Sequence, residues 1–150
     1  MQMDINLIKS LRNETGAGVM DIKRALEECK GDSVKAEEIL REKGFEKAEK
    51  KSGRETGEGR VFSYAHSTGK AASLLVLKCE TDFVAKTDGF NNLGKELAMQ
   101  VCAMNPKDER DLLSQMYIRD GSKTIAVLIK EVIAKTGENI TAGEFCRLEV

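Results

Sequence analysis

Few residues in these 150 positions could carry bond chemistry, and they are scattered. The one histidine, His66, could act as a general base. No nucleophile motif surrounds it, and a polar turn, Ser67-Thr68-Gly69-Lys70, follows it, so a hairpin histidine is the better reading. Cys29, Cys79, Cys102 and Cys146 stand 50, 23 and 44 residues apart, whereas zinc sites usually pair ligands two to four residues apart. Gly69-Lys70 fails as a phosphate loop, because Ala71 stands where Ser or Thr is needed and Tyr64 where the leading glycine belongs. There is no GxGxxG and no HExxH. These observations predict no metal, no cofactor, no direct nucleotide binding and no enzyme of the covalent kind. They leave a protein that acts by contact.

Charge narrows the partners. Lys and Arg number 24 against 25 Asp and Glu, a net charge of -1, so the basic surplus that neutralises phosphates is missing and no nucleic-acid partner is expected. The longest aliphatic run, Leu74-Leu75-Val76-Leu77, is far short of the ~20 apolar residues of a membrane span. No signal sequence opens the chain, and the cysteines form no CxxC pair; both predict a cytoplasmic protein in a reducing compartment.

Two segments are suited to contact. Thr81-Asp82-Phe83 follows an apolar run, with Thr81 a good helix N-cap and Asp82 favourable in a first turn. Taken alone, Phe83 reads as core. Thr15-Gly16-Ala17-Gly18 is a turn, and Val19 and Met20 beyond it are either a small core contact or an adaptable surface.

The elements that must position these segments divide the chain in three. Residues 1–45 read as three short helices. Ile5, Leu7, Ile8 and Leu11 mark the first, and Ile22, Ala25, Leu26 and Cys29 the second. The third carries Val34, Ala36, Ile39 and Leu40, is capped by Asp32 or Ser33 and runs to Gly44. Residues 46–59 read as a charged, glycine-containing linker, its Lys/Glu part able to extend the third helix. Residues 60–150 read as an α+β domain. A strand at 61–66, a four-residue turn and a strand at 71–79, apolar on both faces at Leu74 to Leu77, predict a central strand covered on both sides. A helical stripe at Phe90, Leu93, Leu97 and Val101 ends at Asn105-Pro106. A short helix holds Leu112, Leu113 and Met116, and a longer one, capped by Ser122, runs to Gly137. A strand at 140–150 has Cys146, Leu148 and Val150 on one face. The fold class expected is α+β: a three-helix bundle, a linker, then a three-stranded antiparallel sheet with helices packed on it.

The stretch from Leu11 to Leu26, LRNETGAGVMDIKRAL, resembles the N-terminal signature of the translation elongation factor Ts family, a ubiquitin-associated-like three-helix module. Cys79-Glu80-Thr81-Asp82-Phe83-Val84-Ala85-Lys86, with Gly89-Phe90 after it, is similar to that family's core motif at the end of the central strand. Glu58-Gly59, Tyr64-Ala65-His66 and Ala134-Lys135-Thr136-Gly137-Glu138-Asn139-Ile140 match in family order, so the resemblance covers essentially the whole chain. It implies a guanine-nucleotide exchange factor that binds elongation factor Tu, GDP-bound and nucleotide-free, and promotes GDP release so that GTP can rebind. It implies an exchange wedge at Thr81, Asp82, Phe83 and Val84, and N-terminal contacts at Leu11, Val19, Met20 and Lys23.

The resemblance is to the short, single-core-subdomain type, and a lone sheet with an apolar outer face predicts a homodimer with Cys146 near its axis. Ala142-Gly143-Glu144 stands where the family often has a basic pair before the aromatic. The rival reading is a protein-binding adaptor of the ubiquitin-associated-like kind, in which residues 1–45 suffice and Phe83 is irrelevant.

Overall fold

The computed structural model describes residues 4–150. Three helices come first: α1 (Ile5–Thr15), α2 (Val19–Glu28) and α3 (Ser33–Lys50). Next are β1 (Glu58–Ala65), β2 (Ala71–Cys79), α4 (Asp82–Ala85) and α5 (Asp88–Met104). The chain ends with α6 (Glu109–Ser114), β3 (Met116–Tyr117), β4 (Asp120–Thr124), α7 (Ile125–Thr136) and β5 (Ile140–Glu149). The fold is α+β.

Helices α1 to α3 bury one apolar stripe each, and Leu11, Ile22, Ala25, Leu26, Ala36 and Leu40 meet in a small core. Asp32 is the cap of α3: its carboxylate accepts the amides of Val34 and Lys35, and the Lys35 amide holds that carboxyl below its ordinary range. The third helix does not stop at Gly44 but continues to Lys50, through the first residues of the predicted linker. Packing explains this. A glycine inside a helix costs roughly 1 kcal/mol relative to alanine. Here α3 lies against α7, and a Cβ at Gly44 would crowd the Ala134 methyl at 3.1 Å. The same helix then delivers Ala48 to the larger core, and Lys130 Nζ reaches Glu49 at 2.9 Å.

The sheet is antiparallel in the order β1-β2-β5. Its inner face carries Phe62, Leu75, Leu77 and Ala142, and α5 packs on it with Phe90, Leu93, Leu97 and Val101. Contact is close at Gly94, where a Cβ would fall on the Phe62 ring. Ser73 is buried on this face and donates its hydroxyl to the Ala98 carbonyl of α5.

The helices cover only this face. The expectation of a central strand covered on both sides is corrected within the chain: Val61, Leu74, Cys146 and Leu148 project from the outer face into solvent, Leu148 at 77% exposure. Alternation explains the pattern, since Ser73, Leu75 and Leu77 turn inward while Ala72 and Leu74 turn outward.

One hairpin was not expected. Met116 belongs to β3 and Ser122 to β4, so neither lies in the helix assigned to it. Thr124 caps α7, its hydroxyl accepting the Val127 amide at 3.3 Å. Tyr117 pins the hairpin to α5 by donating to Glu96 at 2.6 Å. Burial first, and this bond second, push its hydroxyl up to about 12.

Candidate functional site: an exposed aromatic at a pinned corner

The corner begins where β2 ends. Cys79 is buried and points its thiol at the Thr81 carbonyl, 3.1 Å away. Burial first, then the negative charge of Glu138, pushes that thiol up from its ordinary range. Thr81 caps α4, accepting the Val84 amide at 3.4 Å. Beyond α4, Thr87 Oγ1 donates to the Val84 carbonyl at 2.7 Å, and Asn91 Nδ2 donates to the Ala85 carbonyl at 2.9 Å. Arg60 on β1 donates to Asn91 Oδ1 at 2.6 Å, which ties the far side of the corner to the sheet edge. Val84 and Ala85 are buried in the main core.

One side chain escapes this packing. Phe83 is 79% exposed although Val84 and Ala85 beside it are buried. A four-residue helix puts successive side chains about 100° apart, so burying Val84 and Ala85 turns Phe83 outward. Asp82 is exposed beside it and pairs with Lys86 Nζ at 3.0 Å.

Four of the sequence-predicted site residues are therefore exposed at the surface and four are wholly or partly buried. Phe83 is free, and Asp82 is exposed in its surface pair with Lys86. Val84, predicted as part of the wedge, is 8% exposed and holds the corner from inside. Thr81 is half-buried, and its hydroxyl donates to Glu138 Oε2 at 2.6 Å while capping α4; it is part of the support.

The second predicted patch is the α1–α2 turn. Gly16 ends α1 in the left-handed conformation, and Thr15 Oγ1 donates to the Leu11 carbonyl and accepts the Ala17 amide at 3.2 Å. Met20 is 61% and Val19 38% exposed. Leu11, predicted as a contact, is only 2% exposed and belongs to the bundle core. Lys23 is half-buried. Met20 is flanked by Asp21, whose carboxylate takes the Lys47 ammonium at 3.2 Å.

His66 sits exposed in the hairpin turn, its Nδ1 2.9 Å from Thr68 Oγ1 and accepting the Thr68 amide at 3.2 Å. Among the described residues, no group of three or more His, Cys, Asp or Glu side chains could hold a metal ion. No helix of the described residues is long and apolar enough to cross a membrane. Sequence reasoning missed Glu138 as a structural partner of the corner: it was noted only as part of a matching stretch 57 positions away.

Comparison with known proteins identifies the family. The family model described as Elongation factor TS matches residues 80–150, which begin at the corner. Elongation factor Ts of Leptospira biflexa is 44% identical over 195 aligned positions, covering all of this chain and 98% of its own. The protein of that name from Thermotoga maritima is 42% identical over all of this chain and 97% of its own. That from Fervidobacterium nodosum is 38% identical over all of this chain and 99% of its own. The Leptospira alignment holds 195 positions against 150 residues here, so 45 of its positions have no counterpart in this chain. Identity at this level along the whole chain, with an exposed Asp-Phe corner in the stretch that the family model matches, leads to one conclusion: the chain belongs to the elongation factor Ts family of translation elongation factors.

Proposed function

We propose that this chain is a guanine-nucleotide exchange factor: it binds GDP-bound elongation factor Tu, promotes GDP release and holds the nucleotide-free form until GTP rebinds. The observation that carries the reading is Phe83, a large apolar ring in solvent on a corner that buried Val84 and Ala85 hold from inside. Exposing an aromatic ring forgoes about 1.5–3 kcal/mol that a partner's pocket would restore. Asp82 beside it supplies an acceptor for the partner's donors. Val19 and Met20 on the α1–α2 turn form the second contact, with Lys23 at its margin.

Exchange of this kind is a coupling between two binding events. Whatever factor the protein's binding takes from GDP affinity, GDP takes from the protein's affinity. A thousandfold faster release needs a barrier lower by ~4 kcal/mol. A buried ring together with a second patch is of the right size to provide it, without any bond being made or broken. The protein acts on a binding equilibrium in the cytoplasm, where translation elongation takes place.

The same reading includes a homodimer. The outer sheet face carries Val61, Leu74, Cys146 and Leu148, and a second copy of that face is its natural cover. Light scattering should give about twice 16.6 kDa; a mass near 16.6 kDa contradicts the dimer.

The deciding experiment follows release of a fluorescent GDP from elongation factor Tu with wild type and Phe83→Ala. Equal rates would remove the role given to Phe83.

A further inference from the structure

Follow the antiparallel register of β2 and β5 past its last pair, Cys79 with Ile140. One step on, Glu80 faces Asn139, and a second step brings Thr81 opposite Glu138. The main-chain ladder does not continue there, yet both amides are satisfied. The Asn139 amide donates to Glu80 Oε1 at 2.8 Å, and the Thr81 amide donates to Glu138 Oε1 at 2.9 Å. Each glutamate thus accepts the amide of the residue that follows the other glutamate. The exchange is reciprocal, with carboxylates standing in for the carbonyls of a ladder.

Further bonds tighten the arrangement. Thr81 Oγ1 donates to Glu138 Oε2 at 2.6 Å, so Glu138 grips the first residue of the corner with both oxygens. Asn139 is buried, and its side-chain amide donates to the carbonyls of Ser52 and Arg54 at 3.4 and 2.8 Å. Arg54 returns to Glu80 at 3.6 Å. Three segments distant in sequence are therefore tied at one place: the chain after α3, the end of β2 and the α7–β5 turn.

We infer that Glu138 is a positioning residue for nucleotide exchange, and that the Glu80–Glu138 clasp fixes the direction in which Phe83 points. The inference rests on the exchange reading of Phe83. Bonds to a charged acceptor are stronger than neutral ones and directional, which suits a hold on a corner only four residues long. Glu138 touches neither nucleotide nor partner in this scheme. It acts through Thr81.

The test combines two measurements on the full chain. The first is hydrogen exchange of the Thr81 and Asn139 amides, which needs no partner. Glu138→Ala should speed exchange at Thr81 about tenfold or more and affect Asn139, still held by Glu80, less. The second is release of fluorescent GDP from elongation factor Tu, which Glu138→Ala should slow about tenfold at a saturating concentration of the factor. Glu138→Gln keeps an acceptor oxygen and should release GDP within about threefold of wild type. Should Glu138→Ala fail to fold, Thr81→Val carries the test: release should slow, and Thr81→Ser, which keeps the hydroxyl, should restore it.

An unchanged Thr81 amide in Glu138→Ala overturns the clasp. A freed amide with wild-type GDP release overturns the positioning role, provided that Phe83→Ala is slow in the same assay. If Phe83→Ala is as fast as wild type, the exchange reading itself fails and takes this role with it, while the amide measurement still reports the clasp.

Discussion

The corner at α4 and the turn between α1 and α2 both put apolar side chains into water, but they are built differently. Phe83 is a rigid ring on a one-turn helix that buried Val84 and Ala85 anchor from one side and hydrogen-bonded Thr81 from the other. Met20 is a flexible thioether in the first turn of α2, whose cap residue, Gly18, makes no side-chain bond. A stiff ring on a stiff support can force a change on whatever receives it. An adaptable side chain adds contact area and conforms to its partner. In the proposed exchange, this difference makes the corner the driving contact and the turn the holding contact.

The largest effect expected is on neither exposed residue. Leu11→Ala should cost about 2–5 kcal/mol in denaturant unfolding, because it empties the bundle core. Its folded fraction should still exchange nucleotide. If Leu11→Ala instead leaves stability unchanged and weakens binding, the turn is a larger contact than its exposed residues indicate.

Phe83→Ala comes next. Stability should stay within about 0.5 kcal/mol, as for other surface changes. GDP release at saturating factor should slow by the equivalent of about 1.5–3 kcal/mol. Met20→Ala should be milder, raising the factor concentration needed for half-maximal release by about 1 kcal/mol or less while the maximal rate holds. A drop in maximal rate for Met20→Ala would erase the division between driving and holding. Lys86→Ala is expected to be smallest. It removes an exposed i,i+4 pair with Asp82 and should change stability by only about 0.3–0.5 kcal/mol. Any sizeable gain in GDP release would mean that Asp82 must leave Lys86 to engage the partner.

Much of the architecture could be read from spacing. The stripe at Phe90, Leu93, Leu97 and Val101 is buried throughout, and Asn105 ends that helix in the left-handed conformation just before Pro106. The β3–β4 hairpin was not readable, since a two-residue strand has no periodicity and Ser122 looks like any helix cap. The continuation of α3 past Gly44 has no decisive local signal, because it depends on α7, 81 residues further on at the Glu49–Lys130 contact.

At the candidate site, Asp82 and Phe83 stood out through motif resemblance, and composition alone would have sent Phe83 inside. Val84 and Thr81 carried the same motif signal. The direction of each side chain comes from how a one-turn helix sits on β2, and adjacent letters hold no record of that. Glu138 escaped notice for the same reason: its pairing with Thr81 follows from strand register across 57 residues.

Helix α3 gives Leu40 to one hydrophobic cluster and Ala48 to the other, with no break between them. In the proposed exchange, a continuous rod shared by both clusters works like the beam of a calliper, setting the gap between Met20 and Phe83 before elongation factor Tu arrives. The entropy of aligning two jaws is then spent in folding rather than in docking. Lengthening that beam by one turn would leave each jaw intact and spoil the grip.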